Sequence, residues 1–454
     1  VRKINQHKYV RLQRKRERKR LKRLRKPHFY RGFFTTELKE ETFKKKVDDQ
    51  RVERFNFKLD TFLNEHGNQP TKKLTTEIEI PSKFSLEDNY DETILTLSLI
   101  RKSLLSFLGH KFVIDFTHCK HAEFSALFLL KVMLDEYLKE LKRLHESLLM
   151  YKAYPDIKIQ HSKTPAVNLA LLANAIIKNA QIEESDFIPI SIHNMITGRK
   201  NQKHYHENKK GPAVTSLRQY INVSLKRHGF ELNAQGEGFF DGLISEILNN
   251  AEDHSLFDTW YAFANLFETK RDATNSEIVG EINVAFLNFG YSIYEGFEAT
   301  KNDNNLVYQE MSDMCDMISA TSGGRKFTRE NLFTLYALQD GNSRLKHERE
   351  SRGTGTMKFI NSFLNLGDYQ DNSKGYIPRL LIFSGSTMLK CDNTYKSFEI
   401  DSVNYLSLNS ENDMTKAPVA SHLMSLENRF PGTLITGKIY LNQDHLKKKI
   451  NNGN

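Results

Sequence analysis

The run Phe239-Phe240-Asp241-Gly242-Leu243-Ile244-Ser245-Glu246-Ile247-Leu248-Asn249-Asn250-Ala251-Glu252-Asp253-His254-Ser255 constrains the fold more than any other stretch of the chain. On a helix turning about 100° per residue, Phe240, Leu243, Ile244, Ile247, Leu248 and Ala251 fall on one side and Glu246, Asn250 and Asp253 on another. One face has to pack. The other presents a carboxylate and an amide four residues apart, close enough to meet one ligand. The Asn oxygen suits a hard cation such as Mg2+, and the Glu suits a water beside a phosphate. Taken alone, the same pattern also describes an amphipathic helix whose polar face is simply solvated.

The 454 residues are enough for two or three domains, each with its own core. No stretch approaches the roughly 20 uncharged apolar residues of a membrane-spanning helix, and the first residues have no secretory apolar core. The expectation is a cytoplasmic protein that does not enter a membrane. Cys119, Cys315 and Cys391 are scattered, with no CxxC pair, so reduced structural thiols are expected. His118, Cys119 and His121, and likewise His204 and His206, lack a second pair at zinc-like spacing.

The net charge of +10 is concentrated at one end: residues 1–26 hold 14 Lys and Arg against one acid, Glu17, which leaves the rest slightly acidic. Such an arm suits nucleic acid, an acidic protein or an anionic surface, but a like-charged run whose single aromatic is Tyr9 has little means of reading bases. A solvated, partly helical tail is the alternative.

The chain divides into a basic arm and linker over 1–73, an α/β unit over 74–211, a second domain over 212–445 and a polar tail over 446–454. In the first α/β unit Ile78-Glu79-Ile80 alternates and Ile94 to Leu108 reads as a helix. Lys111 to Phe116 reads as a buried strand, and Ser125 to Leu148 as a long amphipathic helix. A strand, a polar turn from Thr117 to Glu123 and a helix opening near Phe124-Ser125-Ala126 resemble the STAS domain, a small regulatory fold. That resemblance spans about 80 residues and implies Ser125 as a phosphorylation site, although the small-residue turn of the family is absent here. An Ala/Leu-rich helix is expected near Pro165 to Ala180.

The second domain carries four signals in a fixed order. Glu246-x-x-x-Asn250-Ala251-x-x-His254-Ser255 is similar to the N-box of the GHKL superfamily of gyrases, chaperones, histidine kinases and MutL proteins. Next, the strand Ile282 to Leu287 runs into Asn288-Phe289-Gly290-Tyr291-Ser292-Ile293, which resembles the family's first glycine box. Asn288 stands where that family has an acid that accepts from the adenine amino group, and Ser292 where it has a second glycine. An amide carbonyl can still accept that bond, more weakly than a carboxylate does. Third, Arg352-Gly353-Thr354-Gly355 precedes an apolar helix from Met357 to Phe363 and is similar to the second glycine box. A turn of this kind offers free N–H groups and the positive end of a helix to phosphate oxygens. Last come the strands Ile377 to Gly385 and Phe430 to Leu441, with Thr433 at the adenine-side Gly-Thr. Between the glycine boxes, the glycines of Ser322-Gly323-Gly324 and Asp340-Gly341-Asn342-Ser343 suggest a mobile lid over the nucleotide.

The fold class expected is α/β: a Bergerat-type sandwich, with a mixed sheet covered by helices on one face, preceded by the smaller STAS-like domain and the basic arm. The resemblance, which covers about residues 214–445, implies binding of ATP with Mg2+. Asn250 would hold the metal and Glu246 would act on the phosphate acceptor. Asp253, Asn288, Gly290, Arg352, Gly353, Thr354, Gly355 and Thr433 would line the nucleotide. It further implies hydrolysis, or phosphotransfer to a protein partner or substrate in signalling. The runner-up is a nucleotide-gated interaction protein, as a homodimer or on nucleic acid through residues 1–26, with little turnover.

Overall fold

A computed structural model describes residues 74–106, 111–148, 157–178, 187–199, 209–254, 259–269, 279–302, 305–321, 323–340, 342, 355–366, 376–400 and 403–442. The basic arm 1–26, the turn Arg352 to Thr354 and the tail 446–454 lie outside them. The chain clusters into two compact units, Val1–Asn56 with Glu140–Ala153, and Phe57–Lys139 with Tyr154–Asn454. The elements below belong to the second unit, except the end of one helix beyond Lys139.

In chain order the first elements are β1 (Glu77–Glu79), β2 (Lys83–Phe84), α1 (Tyr90–Ser106), β3 (Phe112–Asp115), β4 (His121–Ala122), α2 (Phe124–Leu148), β5 (Ile157–Gln160) and α3 (Pro165–Ala173). There follow β6 (Phe187–Ile192), β7 (Ile196–Arg199), α4 (Lys210–Arg227), α5 (Ala234–His254), β8 (Thr259–Thr269) and β9 (Val279–Phe289). The last are α6 (Ile293–Ala299), α7 (Asn305–Ser319), α8 (Arg329–Ala337), α9 (Gly355–Leu366), β10 (Arg379–Asp392), β11 (Phe398–Ile400), β12 (Val403–Tyr405) and β13 (Leu423–Asn442).

The first α/β piece builds a small parallel sheet in the order β1-β3-β5, with β2 and β4 paired beside it. Parallel strands need crossovers, and α1 and α2 supply them. Ser125 is fully buried in the first turn of α2, so a kinase could not reach its hydroxyl, and the phosphorylation expectation is corrected. The three cysteines are free and buried, and burial pushes their thiols up, Cys119 to about 11 and Cys315 and Cys391 to about 12. They are inert as nucleophiles, as the spacing suggested.

The large sheet runs β10-β13-β9-β8-β6, with β7 also on β8, and every pair in it is antiparallel. This corrects the expectation of a mixed sheet. It also carries the sheet across residue 212, because β6 and β7 pair with β8 although they precede that boundary.

Side chains alternate across a strand, and the two faces bury different cores. Trp260, Ala262, Ala264 and Leu266 on β8 share one face with Ile282, Val284 and Phe286 on β9, and they pack with Leu243, Ile244, Ile247 and Leu248 of α5 and Met357, Ile360 and Phe363 of α9. The opposite face carries Tyr261, Phe263, Leu287, Phe289 and Phe383, all buried. Phe124 and Phe128 of α2 lie 6.0 and 5.9 Å from Phe263 in stacked pairs, and Tyr90 of α1 stacks on Phe383 at 6.0 Å. Helices therefore cover both faces, where cover on one was expected. The cause is in the strands: with large apolar side chains at odd and even positions alike, neither face can be left to water.

Polar ties fix this second cover. Asp91 of α1 accepts from the Asn428 side chain at 2.6 Å, and Glu87 pairs with Arg379 at 2.7 Å and Lys390 at 3.2 Å. Further along that face, burial raises the carboxyl of Glu281, but Lys438 at 3.1 Å and Asn283 outweigh it and hold the group below its usual range.

The segment after β9, expected to be a lid, is packed helix over its described part. Phe333 of α8 lies 5.3 Å from Tyr294, 5.6 Å from Phe297 and 5.3 Å from Tyr308, which joins α6, α7 and α8. Gly324, one of the glycines from which a mobile lid was expected, is buried where a Cβ would meet the Ile318 carbonyl oxygen at 1.8 Å, so close backbone approach explains the glycine.

Candidate functional site

The polar residues of α5 divide into two sets. Asp241 is tied to Arg218 at 2.8 Å, and Asn249 and Glu252 both accept from Lys210 of α4, at 2.8 and 2.9 Å. Glu246 and Asn250 are half-buried, and among the described residues neither side chain has a hydrogen bond or ion pair. Structural needs account for the first set. They leave the carboxylate and amide singled out by the sequence uncommitted.

Glu252 shows which part of the sheet lies beneath this turn of helix. It accepts from the Trp260 indole N–H at 3.1 Å, and Trp260 is the register partner of Asn288 on β9. Asn288 in turn pairs with Thr433 on β13, and Thr433 with Ser384 on β10. Residues directly opposite in an antiparallel pair project to the same side. Trp260, Asn288, Thr433 and Ser384 thus form one row at the end of the sheet, on the face that carries α5 and α9.

Within that row the hydrogen bonding is uneven. Ser384 Oγ accepts from the Ile293 N–H at 2.8 Å and shares a bond of 3.0 Å with Thr433 Oγ1. Asn288 is 5% exposed, and its buried Nδ2 has no partner. Nor does its Oδ1 accept a hydrogen bond from any described residue. A buried donor left unpaired costs about 1–3 kcal/mol, so it calls for an explanation. Other buried atoms are also orphaned, Ser125 Oγ and Asn174 Oδ1 among them. Asn288 differs in its place, beside a half-buried threonine at the end of the sheet, on the face that carries α5.

The turn around this row is tightly drawn. Gly290, with φ +129°, donates its N–H to the Pro431 carbonyl at 3.2 Å. Gly432, with φ +133°, lies where a Cβ would come 2.2 Å from the Asn288 carbonyl oxygen. Both positions need glycine. Ser292, which departs from the glycine expected there, is the N-cap of α6: its hydroxyl accepts from the Glu295 N–H at 3.1 Å, and the Glu295 carboxylate accepts from the Ser292 N–H at 2.8 Å. This capping box explains the serine by helix initiation.

The second glycine box is described only in part. Gly355 is the first residue of α9, which packs against α5, β10 and β13, while Arg352, Gly353 and Thr354 fall outside the described residues. Asp253 lies in the last turn of α5. Of the residues expected at the site, Asn288 and Thr433 are brought side by side on the face under α5, the helix that carries Glu246 and Asn250. Ser384 and Trp260 complete the row and were not anticipated. Trp260 could have been suspected as the chain's single tryptophan, just beyond the helix.

Among the described residues no three of His, Cys, Asp and Glu gather to hold a metal ion. A cation here would have to be held largely by a ligand's own oxygens with one or two protein groups, the usual manner of Mg2+ on a phosphate chain. Asn250 is a donor of that kind. Comparison with protein-family models, with curated proteins and with solved structures finds no match to this chain.

Proposed function

We propose that this chain binds a magnesium nucleoside triphosphate, ATP in the reading its sequence suggests, between α5 and the Asn288–Thr433 end of the large sheet. The observation that carries the reading is the unsatisfied amide nitrogen of Asn288 beside Thr433, on the face that carries a helix whose Glu246 and Asn250 have no hydrogen-bond or ion-pair partner among the described residues. Two independent elements leave polar groups uncommitted on the same side of the sheet, at residues that the GHKL resemblance assigns to base and metal.

A bound magnesium triphosphate would supply the metal's charge and a reactive γ-phosphate. Asn250 would contribute its carbonyl oxygen to the metal, and Glu246, one turn earlier, would orient a water or a protein hydroxyl and take its proton. Gly290 and Gly432 let the backbone approach the base, and Gly353 to Gly355 would offer N–H groups to the phosphates. The role is then regulatory hydrolysis or phosphotransfer to a protein. The STAS-like character of the first α/β piece, and a contact of residues 1–26 with nucleic acid, belong to the same proposal.

Glu246→Gln is expected to lower ATP turnover by about 10²–10⁴ with nucleotide affinity retained, the ordinary worth of a general base. Asn250→Ala is expected to remove the Mg2+-dependent part of the affinity in calorimetry. Undiminished turnover in the first would exclude Glu246 from the chemistry, and unchanged Mg2+ dependence in the second would contradict the site. A wild-type protein that binds the nucleotide without measurable turnover would favour the nucleotide-gated interaction protein instead.

A further inference from the structure

We infer that the site reads adenine and 6-oxopurine nucleotides with similar strength, and that Asn288 is the residue that sets this tolerance. The inference rests on the nucleotide reading above and adds to it the range of bases accepted.

The physical ground is the chemistry of an amide buried with neither end paired. Asn288 is 5% exposed, its Nδ2 has no acceptor, and its Oδ1 receives no donor from the described residues. Its nearest polar neighbour in register, Thr433, is already bonded to Ser384, so the protein does not satisfy the amide from that side. A Cβ at Gly432 would come 2.2 Å from the Asn288 carbonyl oxygen, so glycine there keeps the two backbones in close approach beside the Asn288 side chain. An amide has one donor group and one acceptor side by side, and a half-turn about its last bond exchanges them.

The Watson–Crick edge of adenine places an amine donor beside the N1 acceptor. That of a 6-oxopurine places the O6 acceptor beside the N1–H donor. Asn288 in one orientation matches the first, and in the other matches the second, with two hydrogen bonds either way. A carboxylate at this position could only accept: it would pair with the adenine amine, with the N1–H of a 6-oxopurine, or with N1–H and the exocyclic amine of guanine together, and it could donate to neither adenine N1 nor O6. Sites that leave a buried polar group unpaired reject the wrong ligand by factors as large as about 10⁴–10⁵, whereas sites that satisfy both ligands discriminate little. The amide, which donates as well as accepts, is therefore what lets one side chain meet both edges with two hydrogen bonds.

The test is competition calorimetry on the full chain with Mg2+ and ATP, GTP or ITP, for the wild type and Asn288→Asp. For the wild type, ATP, GTP and ITP are expected to bind within about tenfold of one another, and Asn288→Asp, which can donate to neither adenine N1 nor O6 but can accept two bonds from guanine, is expected to favour GTP over ATP and ITP by at least about tenfold. Asn288→Ala, which keeps the backbone and removes both groups, is expected to weaken all three about equally. Should the wild type bind ATP but reject GTP and ITP by more than about a hundredfold, the tolerance would be refuted while the nucleotide site stood. If Asn288→Asp binds all three as the wild type does, Asn288 does not face the base, and the assignment fails. Failure of the wild type to bind any of the three would overturn the site reading itself. The wild-type competition alone decides the matter if the aspartate variant does not fold.

Discussion

The two faces of the six-stranded sheet are built to different ends. The face under α1 and α2 is closed: Phe263 is stacked by Phe124 and Phe128, Tyr90 lies on Phe383, and the charges at its rim are matched, Glu87 by Arg379 and Lys390. The face under α5 and α9 is equally apolar through its middle, but it ends in a polar row where the Asn288 Nδ2 has no partner, and Glu246 and Asn250 of α5 are unpaired among the described residues. Both faces hold buried polar atoms without a partner, Tyr90 Oη, Ser125 Oγ and Asn283 Oδ1 on the first and Asn288 Nδ2 on the second, and what sets the second apart is that Asn288 belongs to a row of polar side chains at the end of the sheet, on the face that also carries α5.

The contrast can be broken at either face. The largest effect on stability is expected at the closed face. Phe263→Ala removes a fully buried ring with two stacked neighbours and should cost about 3–5 kcal/mol in chemical denaturation. Nucleotide affinity measured well below the lowered midpoint should stay within error, and a parallel loss of affinity would show that the faces are not independent. A smaller change sharpens the comparison from the other side. Gly432→Ala puts a Cβ 2.2 Å from the Asn288 carbonyl oxygen at φ +133°, which should cost about 1–3 kcal/mol through backbone strain. Here affinity should fall together with stability, because the strand that bears Asn288 has to move. A stable Gly432→Ala protein with unaltered nucleotide binding would separate Asn288 from the ligand.

The parts of this architecture legible in the sequence are those where one physical signal dominated. The strands expected at 111–116, 282–287 and 377–385 are found at Phe112–Asp115, Val279–Phe289 and Arg379–Asp392, and α5 packs on the side its periodicity chose, with Leu243, Ile244, Ile247 and Leu248 buried. β8 was not recognised: Trp260-Tyr261-Ala262-Phe263-Ala264 is buried on both faces, so it lacks the alternation that marks a half-exposed strand. β6 contains Pro189, and its pairing with β8 shifts register between Pro189 and Ser191, which hides the strand from a pattern reading. Of the supposed lid, the described part is packed helix, and residues 343–352 lie outside the described residues. Gly324 serves a close approach to Ile318, a long-range demand that no local pattern records. At the site, chain order sufficed to nominate Asn288 and Thr433, but their adjacency depends on β13 lying between β9 and β10, a crossover the sequence does not announce.

The central claim is that α5 and the end of the β9–β13 pair form a single nucleotide site. Its most direct test is a crystal structure of the full chain with Mg2+ and a non-hydrolysable ATP analogue. The account predicts the base edge against the Asn288 amide and the metal within coordination distance of the Asn250 side-chain oxygen. A nucleotide bound on another surface, or one whose base lies away from Asn288 with the metal untouched by Asn250, would contradict it.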